Sequence, residues 1–488
     1  MSNEGIVKKN GMCYDKRKRM GGVPMYTLQS RWRLEGKKLT YYGLRNRENL
    51  FRNEISLNKK QKALIQSLPR ELDEQQKKCL GKLLESCVVR EEKVRKVPES
   101  LREAVFCSRC CANDFIIPGL EFDGDGLCPM CQTREETKHL RSLVPLVEEL
   151  PRAKHSRFDV ALFYTGGKDS TYLLYHLTKV MGLRVLAMTW EIPFLSDNAK
   201  KSIENAKTCF PEAEFITRTV APAQLQKFYR KLYSLSENTC ACPSLAYVLF
   251  YPELVVNRIP YFVAGNEPAQ ILGLYYNRMA PKLAYSFPDN RVLNLLLNLG
   301  RVLTLRPPLK RGQFHTLATM KRLAFGGGTL QTRFGYPNEL VDNVVQAIQE
   351  VPQLAEPLRR SVRYSSRTGH IPAFVQLDFD KISGGNYDWR QVRETIVKEC
   401  GWVPPEAGNK ALHTSCRIEK CKEYSQFQRF YHCRSRMIPF SALEISLASA
   451  GRNLTRDEAI REMEGSLGFS LEEIPECALM KAVLEEAP

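Results

Sequence analysis

Four cysteines stand in two pairs, Cys107-x-x-Cys110 and Cys128-x-x-Cys131, with 17 residues between the pairs. That interval falls in the zinc-ribbon range, and four thiolates at knuckle spacing predict a closed, tetrahedral, structural zinc site, with an iron–sulfur cluster as the alternative occupant. Cys111 is the spare thiol. A second chemical feature is the turn Thr165-Gly166-Gly167-Lys168-Asp169-Ser170, between the apolar run "DVALFY" and the amphipathic "STYLLYHL". A strand, two glycines and a helix start form an anion site: glycine lets the backbone approach, and the amides and helix terminus supply positive potential. There is no G-x-x-x-x-G-K-[ST], because Asp169 follows Lys168, and no G-x-G-x-x-G.

Other thiols lie further along. Cys240 and Cys242, in "ENTCACPS", precede a helix-like run. A thiolate at a helix N-terminus has a lowered pKa and carries sulfur well as a persulfide, whereas the alternative is a pair of small buried hydrophobes. His413, Cys416, Cys421, His432 and Cys433 could form a second metal site, at a spacing that fits no standard finger. A catalytic role for Cys416 is a further option.

These residues need a scaffold. From about 157 to 275 the pattern alternates: "FDVALFY", "RVLAMTW", "EFITRTV" and "PYFVAG" read as strands, with helical periodicity between them. Continuous apolar strands separated by helices predict an α/β fold with a doubly wound parallel sheet, Rossmann-like. The expected layout is a basic flexible N-terminus (1–34), a winged-helix-like module (35–100), the four-cysteine zinc knuckle (104–135), the α/β domain (150–300), an irregular Pro/Gly/Arg-rich extension (301–400) and a mainly helical C-terminal region (401–488). In the second segment, "KLTYYGLRN" and "EISLN" read as strands, two helices follow, and "VVREEKVRKV" alternates like a wing.

"TGGKDS" resembles the S-G-G-x-D-S pyrophosphate loop of the N-type ATP pyrophosphatases (PP-loop enzymes, or adenine nucleotide alpha hydrolases), with Thr165 in place of the first serine. "IPGLEFDGDGLCPMC" is similar to the knuckle that heads the N-acetyl sugar amidotransferase branch. "GNEPAQ" (Gly265–Gln270), "NYDWRQVRETIVKECGWVPP" and "HTSCRIEKCKEY" resemble later segments of that branch, so the likeness covers roughly residues 105–460. It implies that Thr165, Gly166, Gly167, Lys168, Asp169 and Ser170 embrace the phosphates of ATP with Mg2+ alongside, and that Gly265 also lies at the nucleotide. The strand end at Trp190 is where adenine is accepted, although Trp190 can equally be core. Lys168 and Asp169, with Cys240 and Cys242 where sulfur is handled, are the implied catalytic residues. The implied reaction is attack by a substrate amide or carbonyl oxygen on the alpha phosphorus, loss of pyrophosphate, and displacement of AMP by nitrogen or, in sulfurtransferases, by sulfur. The first hundred residues lie outside the likeness; within them, residues 35–100 resemble peptide-recognition modules of ribosomal-peptide-modifying enzymes, or serve only as a packing domain.

Bulk properties bound the rest. A 488-residue chain with 43% hydrophobic residues predicts several globular domains. No apolar run reaches a membrane span; "RVLNLLLNLGRVLTL" is interrupted by Arg301. With no secretory signal, the expectation is a cytoplasmic protein without a membrane partner, and its 16 cysteines serve metal or thiol chemistry rather than disulfides. The net charge of +18 suits nucleotides, phosphorylated sugars or RNA, or is simply a solvated surface. The expected partners are ATP, an acylamido small molecule or peptide, and a separate glutaminase, since the chain shows no glutaminase nucleophile. For the sulfur alternative the donor is a cysteine desulfurase and the substrate a thioamide precursor or a nucleobase such as that of tRNA.

Overall fold

Two small antiparallel sheets open the chain. Strands β1 (Met25–Leu28), β2 (Trp32–Glu35), β3 (Lys38–Tyr41) and β4 (Glu54–Ser56) lead to helix α1 (Lys59–Gln66), β5 (Arg70–Glu71), α2 (Glu74–Glu85) and β6 (Val89–Glu91). The sheets run β5-β1-β6 and β2-β3-β4. Both helices start with reciprocal caps, Asn58 with Gln61 and Asp73 with Gln76, which satisfy amides left open at a helix start. This module has its own core around Trp32, Leu39, Ile65, Leu80 and Leu83. The expectation of a flexible segment over 1–34 is therefore corrected for residues 25–34: the basic composition of the N-terminus hid two four-residue strands whose Trp32 is buried. The computed structural model describes residues 24–92, 97–132, 142–326, 338–406, 412, 414–472 and 477–485. The rest of the basic N-terminus, most of the glycine-rich "FGGGTLQTRFG" segment and His413 lie outside the described residues.

The module is fastened to the rest of the molecule by a buried arginine. The Arg31 guanidinium donates to the Tyr42 carbonyl at 2.6 Å and to the Phe430 carbonyl at 2.9 Å, and lies 4.0 Å from the Phe430 ring centre. Planar, permanently charged guanidinium suits this combined stacking and donation.

The centre is a five-stranded parallel sheet. After the short β7 (Leu146–Val147) come β8 (Val160–Phe163), α3 (Lys168–Tyr175), β9 (Val185–Trp190), α4 (Asp197–Cys209), β10 (Glu214–Arg218), α5 (Pro222–Ser236), α6 (Cys242–Val256), β11 (Tyr261–Ala264), α7 (Pro268–Tyr276), α8 (Arg291–Leu303), α9 (Gln313–Phe325), β12 (Ala373–Phe374) and β13 (Gln376–Leu377). Strands are ordered β10-β9-β8-β11-β12, each neighbour parallel. β8 and β9 are buried along their whole lengths, which is why they read as unbroken apolar runs. The order reverses between β8 and β11, and the crevice outside their carboxyl ends is the topological switch point, where open α/β sheets bind ligands.

The fifth strand comes from beyond residue 300, so the sheet outlasts the expected 150–300 boundary. The irregular extension expected over 301–400 is also corrected: it carries α9 and helices Glu339–Gln349, Pro352–Thr368 and Trp389–Cys400. Its prolines and glycines punctuate helices instead of breaking them. Pro352 sits in the first turn, where no amide is needed, and Gly369 and Gly401 take left-handed φ values of 76° and 62° at the C-caps. Beyond residue 401 the chain forms helices Glu419–Tyr431, Phe440–Gly451, Arg456–Leu467 and Cys477–Glu485.

Candidate functional site

The glycine turn connects β8 to α3 at the switch point. Gly166 has φ 67°, and a Cβ there would lie 2.4 Å from the Ala199 carbonyl oxygen on α4, so conformation and space both demand glycine. Gly265, just after β11, is held as closely from the other side: its Cβ would fall 2.6 Å from the Ser170 amide nitrogen. The two loops flanking the crevice thus touch backbone to backbone at the start of α3.

Hydroxyls gather around this turn. Thr165 Oγ1 lies 3.2 Å from Ser170 Oγ and accepts from the Gly167 amide at 3.4 Å. Thr414 Oγ1 accepts from the Lys168 amide at 3.2 Å, and a Cβ on Gly167 would come within 3.6 Å of Ser415 Oγ. Thr165 is exposed, so the crown of the turn reaches solvent, while Gly166 to Ser170 are buried. Segment 414–417 reaches this position because Cys416 bridges Leu195 in antiparallel fashion and the Ser196 amide donates to the Ser415 carbonyl. Behind the turn, Trp402 Nε1 donates to the Gly166 carbonyl at 3.1 Å.

Lys168 points away from the mouth. Its side chain is 1% exposed, pairs with Asp169 Oδ1, donates to Tyr387 Oη at 2.8 Å and lies 3.9 Å from Glu267 Oε2. Its ammonium is 5.0 Å from the ring centres of both Tyr387 and Trp389. Tyr387 also donates to Asp169 Oδ1, and Trp389 Nε1 donates to Glu267 Oε2. Burial pushes the Glu267 carboxyl well above the usual range; the Lys168 charge opposes that shift and the Asp169 charge adds to it. Among the described residues, neither Glu267 Oε1 nor the buried indole N–H of Trp190 at the end of β9 has a hydrogen-bond partner. Lys168 is therefore the counter-ion of two buried carboxylates, a role different from the phosphate contact implied by the family resemblance.

Glu267, Tyr387, Trp389, Trp402, Thr414 and Ser415 were not singled out by residue-type reasoning. The segments holding them, "GNEPAQ", "NYDWRQV…GWVPP" and "HTSCRIEKC", were flagged only by resemblance, and the structure brings all of them to the glycine turn.

Thiols form a second neighbourhood beside the first. Cys240 and Cys242 precede and begin α6, and with Cys416 they lie near enough to the buried Lys422 to feel its charge; the Lys422 ammonium pairs with Glu419 at 2.9 Å. Burial raises the pKa of Cys240 and Cys242, and the nearby Lys422 charge only partly offsets it. This corrects the expectation of a lowered pKa at a helix N-terminus: desolvation outweighs the terminus. The Tyr229 hydroxyl, in the same neighbourhood, is buried without a hydrogen-bond partner among the described residues. Among the described residues, Cys416, Cys421, His432 and Cys433 do not come within ligand distance of one another as a group of three or more.

The four knuckle cysteines do. Cys107, Cys110, Cys128 and Cys131 are fully buried, with their sulfurs within 4.8 Å of one another, and Cys110 Sγ lies 3.7 Å from Cys128 Sγ. Backbone amides of Ala112 and Cys128 donate to Cys110 Sγ and Cys107 Sγ at 3.4 and 3.3 Å, the kind of outer support that thiolate ligands receive. Cys111 stays outside this set: it lies 3.6 Å from Ser446 Oγ, and burial pushes its thiol up to about 12.

No family model matches the chain, and no curated protein matches it. Among solved structures, 44% of the chain is similar to 72% of the U34-tRNA thiolase NcsA from Methanococcus maripaludis, solved with its [4Fe-4S] cluster, at 15% identity and a TM-score of 0.19. At that score the likeness carries no argument. Among the described residues, no helix is long and apolar enough to cross a membrane.

Proposed function

We propose that this chain is an ATP-dependent enzyme of the PP-loop type that forms AMP and pyrophosphate, activates an amide or carbonyl oxygen of an acylamido substrate, and installs nitrogen there. The observation that carries the reading is the convergence, at the switch point, of the glycine turn with three distant segments that the same resemblance singles out. ATP supplies an adenylate leaving group for an oxygen that otherwise leaves poorly. The chain's contribution is alignment and charge stabilisation. The amides of the turn, with the hydroxyls of Thr165, Ser170, Thr414 and Ser415, would hold the phosphates. Asp169, fixed by Tyr387 and Lys168, would hold Mg2+ or its waters. The unpartnered N–H of Trp190 offers a donor where the adenine would sit.

A single zinc ion suits the knuckle. Zn–S bonds of about 2.3 Å place tetrahedral thiolates about 3.8 Å apart, close to the 3.7 Å between Cys110 Sγ and Cys128 Sγ. An iron–sulfur cube would push the thiolates further apart than these side chains stand.

The second reading, sulfur transfer, is favoured by one observation: Cys240, Cys242 and Cys416 share the field of Lys422. Nitrogen remains the first reading because burial keeps Cys240 and Cys242 protonated at neutral pH, unlike a resting nucleophilic thiolate. The test is release of AMP and pyrophosphate from ATP and Mg2+ by the whole protein, with ammonium and an acylamido substrate supplied. Asp169→Ala should abolish it; retained turnover refutes the site. Cys240→Ser and Cys242→Ser should spare nitrogen transfer, and loss of turnover in either variant transfers the case to sulfur.

A further inference from the structure

Helix α8 is mounted with its polar side inward. Asn294, Asn298 and Arg301, at helical spacing, all grip the body of the protein. Asn294 Nδ2 donates to the Phe287 carbonyl at 3.2 Å. Asn298 exchanges two hydrogen bonds with Leu309, at 2.9 and 2.8 Å. Arg301 donates to the carbonyls of Pro307 at 2.8 Å and Ser366 at 3.2 Å. The opposite side carries Val292, Leu295, Leu296, Leu299, Val302 and Leu303, with exposures from 54% to 76%. At about 100° per residue these six positions fall within about 120° of the helix circumference. Leu283 and Leu305, before and after the helix in sequence, are exposed as well, at 63% and 95%. Six adjacent exposed aliphatic side chains exceed what a monomer usually leaves in water. The inward hydrogen bonds fix the helix rotation, so the stripe cannot roll inward.

Charge identifies what covers it. From Arg278 to Phe325 there are nine Lys and Arg residues and a single acid, Asp289. Lys282, Arg291, Arg306 and Lys310 are exposed around the stripe and form no ion pair among the described residues. Docking a second copy would juxtapose two strongly basic segments. An anionic lipid surface instead pairs with the bases while the leucines enter the acyl boundary. The helix also has the right length: its 13 residues give about 20 Å, too short for a core of about 30 Å but suited to lying in the interface.

We infer that α8 and its basic flanks form a docking surface for an anionic membrane, on which the protein lies peripherally. This departs from the expectation of no membrane partner, which rested on the lack of a spanning segment; a surface helix needs none. The inference is independent of the proposed chemistry.

The experiment is co-sedimentation of the full chain with phosphatidylcholine vesicles, with and without about 30% phosphatidylglycerol. Each basic side chain near an anionic surface contributes about a fivefold preference, so partitioning should favour the anionic vesicles by at least about tenfold. The preference should fall as salt rises from about 0.05 to about 0.5 M. Leu295→Glu with Leu299→Glu, both at exposed positions, should remove about tenfold of binding per leucine while leaving ATP turnover and thermal stability unchanged. Failure to bind anionic vesicles, or binding that the double variant does not weaken, overturns the inference. So does a dimer, seen by light scattering, that the double variant dissociates, or selective capture of an acidic polypeptide by the stripe, because either assigns it to a protein partner.

Discussion

Replacing Lys168 with methionine separates two accounts of the glycine turn. If the lysine faced bound phosphates, its loss would weaken ATP binding and leave the apo-protein as stable as before. The structure places it instead among Asp169, Glu267, Tyr387 and Trp389, with Glu444 adding a further negative field at Glu267. Removing one partner of a buried ion pair costs about 3–5 kcal/mol, because the remaining charge is left uncompensated. Here the remaining group can escape by protonation. The folded-state pKa of Glu267 is already raised above its unfolded value of 4.5, and without the ammonium it rises further. A raised carboxyl pKa leaves stability intact below the unfolded value and removes it as pH climbs toward the folded value. The difference between Lys168→Met and wild type should therefore be small at pH 5 and larger at pH 8. It opens only above wild type's own raised Glu267 pKa and grows there by about 1.4 kcal/mol per pH unit, up to the cost of the broken pair. The double variant Lys168→Met/Glu267→Gln should recover most of the loss at pH 8 and flatten the dependence. Urea midpoints for wild type and both variants at the two pH values provide the measurement. A Lys168→Met protein with wild-type midpoints at both pH values, and only a weaker affinity for ATP, would refute the buried counter-ion assignment.

Gly265→Ala should shift the start of α3, because its Cβ would meet the Ser170 amide at 2.6 Å. A destabilisation of about 1–3 kcal/mol and roughly tenfold or greater loss of ATP affinity by calorimetry are expected, and unchanged affinity counts against the turn as the nucleotide site. Metal analysis should find one zinc per chain, and Cys110→Ser or chelation should raise protease sensitivity around residues 107–131; iron in place of zinc would refute the mononuclear assignment. Trp190→Phe should weaken ATP binding by about fivefold to tenfold through loss of one hydrogen bond, whereas no change would make its unpartnered N–H a core feature only.

How much was legible in the sequence follows the range over which each feature is determined. The runs "VALF" and "VLAMTW" reveal a buried parallel sheet because burial on both faces is written in consecutive residues. The cysteine spacing reveals the knuckle for a similarly local reason. The direction of Lys168 was hidden. A lysine beside a glycine turn reads as a phosphate ligand, and it is Tyr387 and Trp389, more than 200 residues later, that draw it inward. The thiols misled in the same way: a helix N-terminus is visible at Cys242, but the burial that raises its pKa is set by the tertiary fold and not by the local sequence. The stripe on α8 was visible as "RVLNLLLNLGRVL". Its outward orientation was not, since that depends on hydrogen bonds from Asn298 and Arg301 to residues outside the helix.

The buried cluster also explains why the turn can be both glycine-rich and well ordered. Glycine at 166, 167 and 265 removes the side chains that would keep backbone and ligand apart, and it removes packing with them. Order must come from elsewhere. Trp402 holds the Gly166 carbonyl, Thr414 holds the Lys168 amide, and the Lys168 ammonium draws the first turn of α3 toward Glu267 on the neighbouring strand's loop. Each of these anchors acts from behind or beside the turn, and the crown at Thr165 stays open to solvent. If the turn binds the phosphates as proposed, a lysine turned into the interior would contribute by positioning: it would fix the amides and Asp169 before a ligand arrives, so that less ordering remained to be done on binding.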